Sequence, residues 1–137
     1  NFSNIFCKDI SNDCLDISGA RVIGNYIEGY NVKDKGLSFG ENAVGKISNL
    51  KFQNSKLGIA VKDGSNLKLS SYNFKDNKFD IAVFNKKKEY EGSSLIIDDS
   101  TTDTKFSYLI GLKNQITINR KPLEKKIDNK IINDLFY

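Results

Sequence analysis

Two carboxylates and two lysines are the side chains best suited to chemistry in this sequence. Glu41 and Asp63 lie 22 residues apart, and Lys35 and Lys62 are near them in the chain. Carboxylates held close together raise one another's pKa or share a cation, and an enzyme would add a neighbouring group that stabilises charge. Glycine, asparagine and serine flank both acids, which is typical of turns in which Asp caps its own backbone. We favour the turn interpretation over cation binding, and cation binding over catalysis.

Two further polar residues are candidates for ligand binding. Asp16 occupies an outward position of a short predicted strand. The equivalent positions of later strands hold Ser38, Ala60 and Ala82, which offer no ionisable side chain for catalysis. Tyr90 lies in a charged insertion that interrupts the pattern, and insertions often map to a binding face. A solvated loop explains that insertion equally simply, and we favour it. The predicted ligand-binding residues, with no catalytic residue and no metal ligand among them, are Asp16, Lys35, Glu41, Lys62, Asp63 and Tyr90.

The residue types that are missing exclude several mechanisms. The chain has no His, which removes the Ser-His and Cys-His nucleophile pairs and the usual general base at neutral pH. A metal site is disfavoured because only Cys7 and Cys14 remain as soft ligands, and we predict no cofactor. A disulfide between them is sterically feasible across a turn, but we favour two small apolar residues of the core or of a turn.

Composition limits the remaining classes of function. The 137 residues suit one domain, and a hydrophobic content of 39% is enough for a core. The net charge of +4 is spread along the chain and accompanies no nucleic-acid-binding module, so no nucleic-acid partner is expected. No apolar run approaches the length of a membrane span, and none is predicted. The chain begins with Asn1 and contains no Met, so we expect a fragment or a processed product.

A repeat of 22 residues determines the predicted fold. Each copy begins with an apolar, polar or small, apolar triplet, the pattern of a strand with one buried face. The triplets are Leu15-Asp16-Ile17, Leu37-Ser38-Phe39, Ile59-Ala60-Val61 and Ile81-Ala82-Val83. A second strand follows in the middle copies, where Ile47, Leu50 and Phe52 correspond to Leu69, Tyr72 and Phe74. A fifth copy begins at Tyr108, displaced by a five-residue insertion.

Such a repeat predicts an all-β, right-handed parallel β-helix, a solenoid with about 22 residues in each coil. A leucine-rich repeat would need a Leu-x-x-Leu-x-Leu frame, which is missing, and a β-sandwich would not keep a fixed register. We assign the coils to residues 1–122 and a C-terminal cap to residues 123–137, where apolar residues recur at helical spacing. A helix that docks on a partner is the alternative for that segment. The N-terminal end has no such cap, and we expect it to continue into further coils of a longer parent protein.

Three segments resemble the coils of bacterial right-handed parallel β-helix repeat proteins of the pectin-lyase-like superfamily. They are NDCLDISG at residues 12–19, DKGLSFGE at residues 34–41 and GIAVKD at residues 58–63. They look in particular like the C-terminal β-helix region of CotH-type surface proteins. The resemblance covers roughly residues 1–120 and implies a domain of an exported or bacterial cell-surface protein, without an established catalytic role for these coils. The Asp-Pro-His-Glu motif of mannuronan epimerases cannot occur without His.

The function predicted from the sequence is a non-catalytic structural or carbohydrate-binding module of a larger exported or cell-surface protein. Its expected partners are a polysaccharide or other cell-surface glycan and the preceding domains of the parent chain. The first alternative is an enzyme that modifies acidic polysaccharide with Glu41, Asp63 and either Lys62 or Lys35 as its active groups. The second is a segment of a phage or adhesin fibre, which would form a trimer.

Overall fold

The computed structural model describes residues 1–99 and 105–137, which form a parallel β-solenoid of about five coils. Within these residues, two sheets run along the solenoid. The long sheet contains, in spatial order, β1 (Phe2–Ile10), β3 (Arg21–Val32), β5 (Val44–Gln53), β7 (Asn66–Lys75), β9 (Ser94–Ile97), β11 (Gln115–Ile118) and β12 (Lys121–Pro122). The short sheet contains, from its C-terminal edge, β10 (Tyr108–Ile110), β8 (Phe79–Phe84), β6 (Leu57–Lys62), β4 (Lys35–Gly40) and β2 (Leu15–Ser18).

The register of the sheets confirms the predicted repeat. In the short sheet, successive strands pair in parallel through the first residue of each predicted triplet: Leu15, Leu37, Ile59, Ile81 and Tyr108. In the long sheet, Ile47 pairs with Leu69, and Phe52 with Phe74, as the 22-residue step predicts. The fold class inferred from the sequence, an all-β parallel solenoid, is therefore confirmed.

Stacked apolar columns form the core between the two sheets. Phe39 and Phe52 are the largest fully buried side chains. Each fully buried aliphatic or aromatic side chain contributes about 1.5–3 kcal/mol of hydrophobic stabilisation, so the columns are the main favourable contribution to folding. The other large side chains buried to the same extent are Ile27, Leu37, Ile47, Leu50, Leu57, Ile59, Leu67, Leu69, Ile81 and Leu95.

Polar side chains in the turns bond the coils to one another. Ser65 Oγ accepts from the backbone N–H of Ala43 at 3.1 Å, and Ser93 Oγ accepts from that of Ser65 at 3.2 Å. Asn114 Oδ1 continues the ladder by accepting from the N–H of Ser93 at 2.7 Å. Because these groups are buried, the hydrogen bonds offset the desolvation of backbone N–H groups that no strand partner would otherwise satisfy.

A disulfide joins Cys7 to Cys14, with their Cα atoms 5.7 Å apart. Our favoured interpretation of two unbonded residues is therefore corrected. Cys7 lies on β1 and Cys14 just before β2, so the turn between the two sheets brings their side chains together. This clip closes the first turn of the N-terminal coil.

The C-terminal segment crosses the end of the solenoid before it forms a helix. β12 pairs antiparallel with β11 at the edge of the long sheet, and Lys126 forms an antiparallel bridge with Ile110 at the edge of the short sheet. Helix α1 (Asn129–Phe136) follows, and the Asp128 carboxylate caps it by accepting from the N–H groups of Lys130 and Ile131. Among the described residues, no helix has the length and hydropathy needed to cross a bilayer.

Helix α1 lies on the outward face of the short sheet. Leu135 is buried there against Leu57, Ala60, Ala82, Phe84 and Leu109. The alanines of the outward column leave the space that the helix occupies, so both faces of these strands are covered. Ser38, Ala60 and Ala82 are all fully buried as a result.

Candidate functional site

Asp63 acts as a turn residue in the structure. Its side chain is buried, and Oδ1 accepts from the backbone N–H groups of Lys86 and Lys87 at 2.8 and 2.7 Å. Its φ angle of 54° lies in the left-handed region, which Asp and Asn tolerate better than other residues with a Cβ atom. The carboxylate therefore fixes the start of the loop that follows β8.

Glu41 occupies the equivalent turn of the preceding coil, with a φ angle of 55°. Its carboxylate forms an ion pair with the Lys87 side chain, and the hydrogen bond from Lys87 lowers the pKa of Glu41 below its ordinary value. Glu41 thus binds the side chain of Lys87, whereas Asp63 binds backbone N–H groups of the same segment. The structure does not bring them together as a free pair of carboxylates.

Lys35 is held between two acids. Its ammonium lies 3.1 Å from Asp13 Oδ1 and 3.0 Å from Asp34 Oδ1, and 6.0 Å from the centroid of the Phe136 ring. Burial acts to lower the pKa of Lys35, but the hydrogen bonds to Asp34 and Asp13 outweigh it, so the pKa is raised. This lysine ties the turn before β4 to the preceding coil and lies under the end of α1.

Lys62 differs from Lys35 in having no carboxylate within ion-pair distance among the described residues. Burial and then the charge of Lys35 lower its pKa, and Asp16 acts in the opposite direction, while the smaller effects of Lys86 and Asp63 oppose each other. Asp16 itself is exposed on β2, beyond the region that α1 covers. Lys62 and Asp16 therefore lie on the same outward face without forming a direct ion pair.

Tyr90 lies in the loop that carries the charged insertion. Asn85 Nδ2 donates to the backbone carbonyls of Tyr90 and Glu91 at 2.7 and 2.9 Å, which closes the loop. The Tyr90 ring lies close to Gly64, so the loop folds back onto the turn of the preceding coil. The described contacts give Tyr90 a structural role in this loop.

A groove on the outward face of the long sheet was not predicted. Its volume is about 630 Å³, and it crosses the first halves of strands β3, β5, β7 and β9. Ile23, Lys46, Lys68 and Ile96 form one column of paired residues along its floor. We call this feature the long-sheet groove.

The long-sheet groove combines positive charge with exposed aliphatic surface. Arg21, Lys46 and Lys68 line it, and no acidic side chain of residues 1–99 or 105–137 does. Ile23 and Val44 expose 61% and 39% of their surface there, although aliphatic residues in strands are usually buried. Such a surface favours a ligand that has both negative charge and apolar faces.

The described fold and groove define the chain as a parallel β-solenoid. Comparison with protein-family models, with curated proteins and with solved structures finds no match. Within residues 1–99 and 105–137, no group of three or more Cys, Asp or Glu side chains is arranged to hold a metal ion.

Proposed function

We propose that this chain is a non-catalytic carbohydrate-binding module of an exported or cell-surface protein. The observation that supports it is the long-sheet groove, an open surface that Arg21, Lys46 and Lys68 line with no acidic side chain from the part of the chain that the structure describes. A sugar ring presents C–H faces that pack on aliphatic side chains such as Ile23 and Val44. Lysine and arginine bind carboxylate and sulfate groups, so the preferred ligand is an acidic glycan.

The geometry of the groove suits a chain-like ligand. Lys46 and Lys68 are paired residues on adjacent parallel strands, which lie about 4.8 Å apart. Arg21 belongs to the preceding coil and pairs with Val44, so it lies two residues to one side of the column that contains Lys46 and Lys68. A ligand with repeated negative charges would contact Lys46 and Lys68 in succession, with Arg21 beside them.

The state of the predicted acids supports a module that binds without catalysis. Glu41 is paired with Lys87, and Asp63 is bonded to two backbone N–H groups. An enzyme for acidic polysaccharide would need these carboxylates free and converging on a substrate. The outward face of β6, β8 and β10 is also covered by α1.

The Cys7–Cys14 disulfide supports an exported location, because disulfides persist mainly in oxidising compartments. The resemblance of residues 12–19 and 34–41 to the pectin-lyase-like superfamily, and to CotH-type surface proteins in particular, is the second support for this location. The parallel solenoid is consistent with that superfamily.

A glycan array probed with the full chain tests the proposal. We expect binding to glycans that carry uronic acid or sulfate, and at least tenfold weaker binding by Lys68→Glu. Lys75→Glu is the matched control, because Lys75 is an exposed lysine at the other end of the same strand. Binding to no glycan would reject carbohydrate binding and leave only a structural role, whereas equal loss in both variants would reject the long-sheet groove as the site.

A further inference from the structure

A second groove lies at the C-terminal end of the solenoid. Its volume is about 560 Å³, and it is bordered by the loop after β8, by residues 111–114 and by α1. We call it the C-terminal groove. It is on a different part of the molecule from the long-sheet groove and shares no lining residue with it.

Large apolar side chains from three separate segments are exposed around the C-terminal groove. Leu112 exposes 81% of its surface, Ile127 46% and Tyr137 78%, while Phe84 and Ile132 complete the apolar lining. A cluster of this kind, rimmed by polar residues, is typical of an interaction site rather than of isolated surface residues. The groove therefore has room for an apolar anchor.

Asn85 holds the loop that borders the C-terminal groove. Its Nδ2 is fixed by the carbonyls of Tyr90 and Glu91, which also fixes the orientation of the amide. Its Oδ1 is buried and accepts no hydrogen bond from the described residues. Because this oxygen is buried, a ligand in the groove does not reach it, and the amide serves to hold the loop rather than to bind.

The charge of the groove selects among ligands that have an apolar anchor. Lys88 and Lys113 line it. Among the described residues, neither lysine forms an ion pair, and no acidic side chain lines the groove. Lys86 lies nearby, with its ammonium 5.4 Å from the centroid of the Tyr137 ring. Carboxylates beside the anchor would pair with these lysines.

We propose that the C-terminal groove binds an acidic peptide segment of a partner protein. The peptide would insert one Leu, Ile or Phe side chain between Leu112, Ile127 and Tyr137. Flanking Asp or Glu side chains would pair with Lys88 and Lys113. A peptide supplies an apolar anchor and two carboxylates on one chain, whereas a fatty acid has a single carboxylate at the end of its chain. This interaction is independent of glycan binding at the long-sheet groove.

Fluorescence anisotropy with defined peptides tests the inference. The probe is a labelled octapeptide of alternating leucine and glutamate, compared with peptides of alternating serine and glutamate and of alternating leucine and lysine. We expect the leucine–glutamate peptide to bind at least tenfold more tightly than either comparison peptide. Lys113→Glu and Leu112→Ser should each weaken that binding at least fivefold, and Lys75→Glu, which makes the same change of charge elsewhere, should leave it unchanged.

The variants are expected to remain folded because Leu112 and Lys113 are exposed, and circular dichroism checks this. Failure of the leucine–glutamate peptide to bind, or equal binding by wild type and Lys113→Glu, would overturn the proposal. Vesicles of anionic phospholipid are the last comparison. If they bind with the same dependence on Leu112 and Lys113 while the peptide does not, the occupant is a membrane surface and the peptide assignment is wrong.

Discussion

The ring of Phe136 lies against the ring of Phe84, with 4.1 Å between their centroids. This contact joins the last turn of α1 to the last residue of β8. It helps to hold the helix over Ala60 and Ala82, whose small side chains form the seat for Leu135. The outward face of β6, β8 and β10, which these strands would otherwise expose to solvent, is therefore part of the core.

Phe136→Ala should loosen this helix without unfolding the solenoid. Loss of a large aromatic side chain from a core removes about 3–5 kcal/mol, and because Phe136 is only partly buried we expect about 1–3 kcal/mol here. Hydrogen exchange of the amides of residues 129–136 should accelerate, while exchange in β5 and β6 stays slow. Tyr137→Ala is the control, since 78% of Tyr137 is exposed. Equal protection of α1 in wild type and Phe136→Ala would show that the ring contact does not hold the helix.

The Asp63 side chain should contribute to stability through its two hydrogen bonds. Asp63→Gly suits the positive φ angle but removes both acceptor contacts, so we expect a loss of about 2–4 kcal/mol in the free energy of unfolding. Asp63→Asn keeps one acceptor oxygen and should lose about 1 kcal/mol. Urea unfolding measures both values.

Asp76 provides the matched control for this series. It has the same φ angle of 54°, but it is exposed and its carboxylate accepts no hydrogen bond within the described residues. Asp76→Gly should therefore change stability by less than about 0.5 kcal/mol. If Asp63→Gly and Asp76→Gly have equal effects, the backbone angle and not the capping of residues 86 and 87 determines the role of Asp63.

The register of the solenoid follows from the sequence because burial repeats along the strands. Alternation within Leu37-Ser38-Phe39 assigns the inward side chains, and the 22-residue step stacks them on Ile59 and Val61. The column of paired residues along the floor of the long-sheet groove could not be predicted from the 22-residue step. Ile23 pairs with Lys46 at a step of 23 residues, and Lys68 pairs with Ile96 at a step of 28, because the intervening turns differ in length.

The seat of α1 and the disulfide depend on tertiary contacts that a repeat does not encode. The apolar stripe with Ile131 and Leu135 predicts a helix, but the alanines that receive it lie more than 50 residues away in the chain. Likewise, the pairing of Cys7 with Cys14 depends on the path of one turn. The turn positions of Glu41 and Asp63 were predictable because Gly, Asn and Ser flank them, and both residues have positive φ angles in the structure.

Removal of the disulfide should destabilise the N-terminal coil. A loop as short as that between Cys7 and Cys14 contributes about 2 kcal/mol by restricting the unfolded chain. We expect the free energy of unfolding of the double variant Cys7→Ser/Cys14→Ser to be lower by that amount, so the variant should unfold at a lower urea concentration. A reducing agent should produce the same shift in the wild type. Mass spectrometry under non-reducing conditions should find no free thiol in the wild type. Two free thiols in a folded, air-oxidised sample would contradict the assigned bond.

Lys35 and Lys62 should respond in opposite ways to the loss of their charge. Lys62→Met should raise the free energy of unfolding at pH 7, because the folded chain places this ammonium in a partly buried site beside Lys35 and Lys86. Lys35→Met should lower it by about 1–3 kcal/mol, because Asp13 and Asp34 would lose their shared partner at a largely buried position.

The pH dependence separates the two lysines further. The pKa of Lys62 is lowered, so the folded chain releases this proton before the unfolded chain does, and the contribution to stability rises with pH between the lowered pKa and the ordinary value of 10.5. The pKa of Lys35 is raised, so its contribution is fully present below 10.5 and is lost as pH rises through the raised pKa. We therefore expect urea unfolding from pH 7 to 11 to show that Lys62→Met lacks the rise in stability with pH, and that Lys35→Met lacks the fall in stability at high pH. If the two variants had identical curves of stability against pH, the ion pairs of Lys35 with Asp13 and Asp34 would not be the cause of the difference between the two lysines.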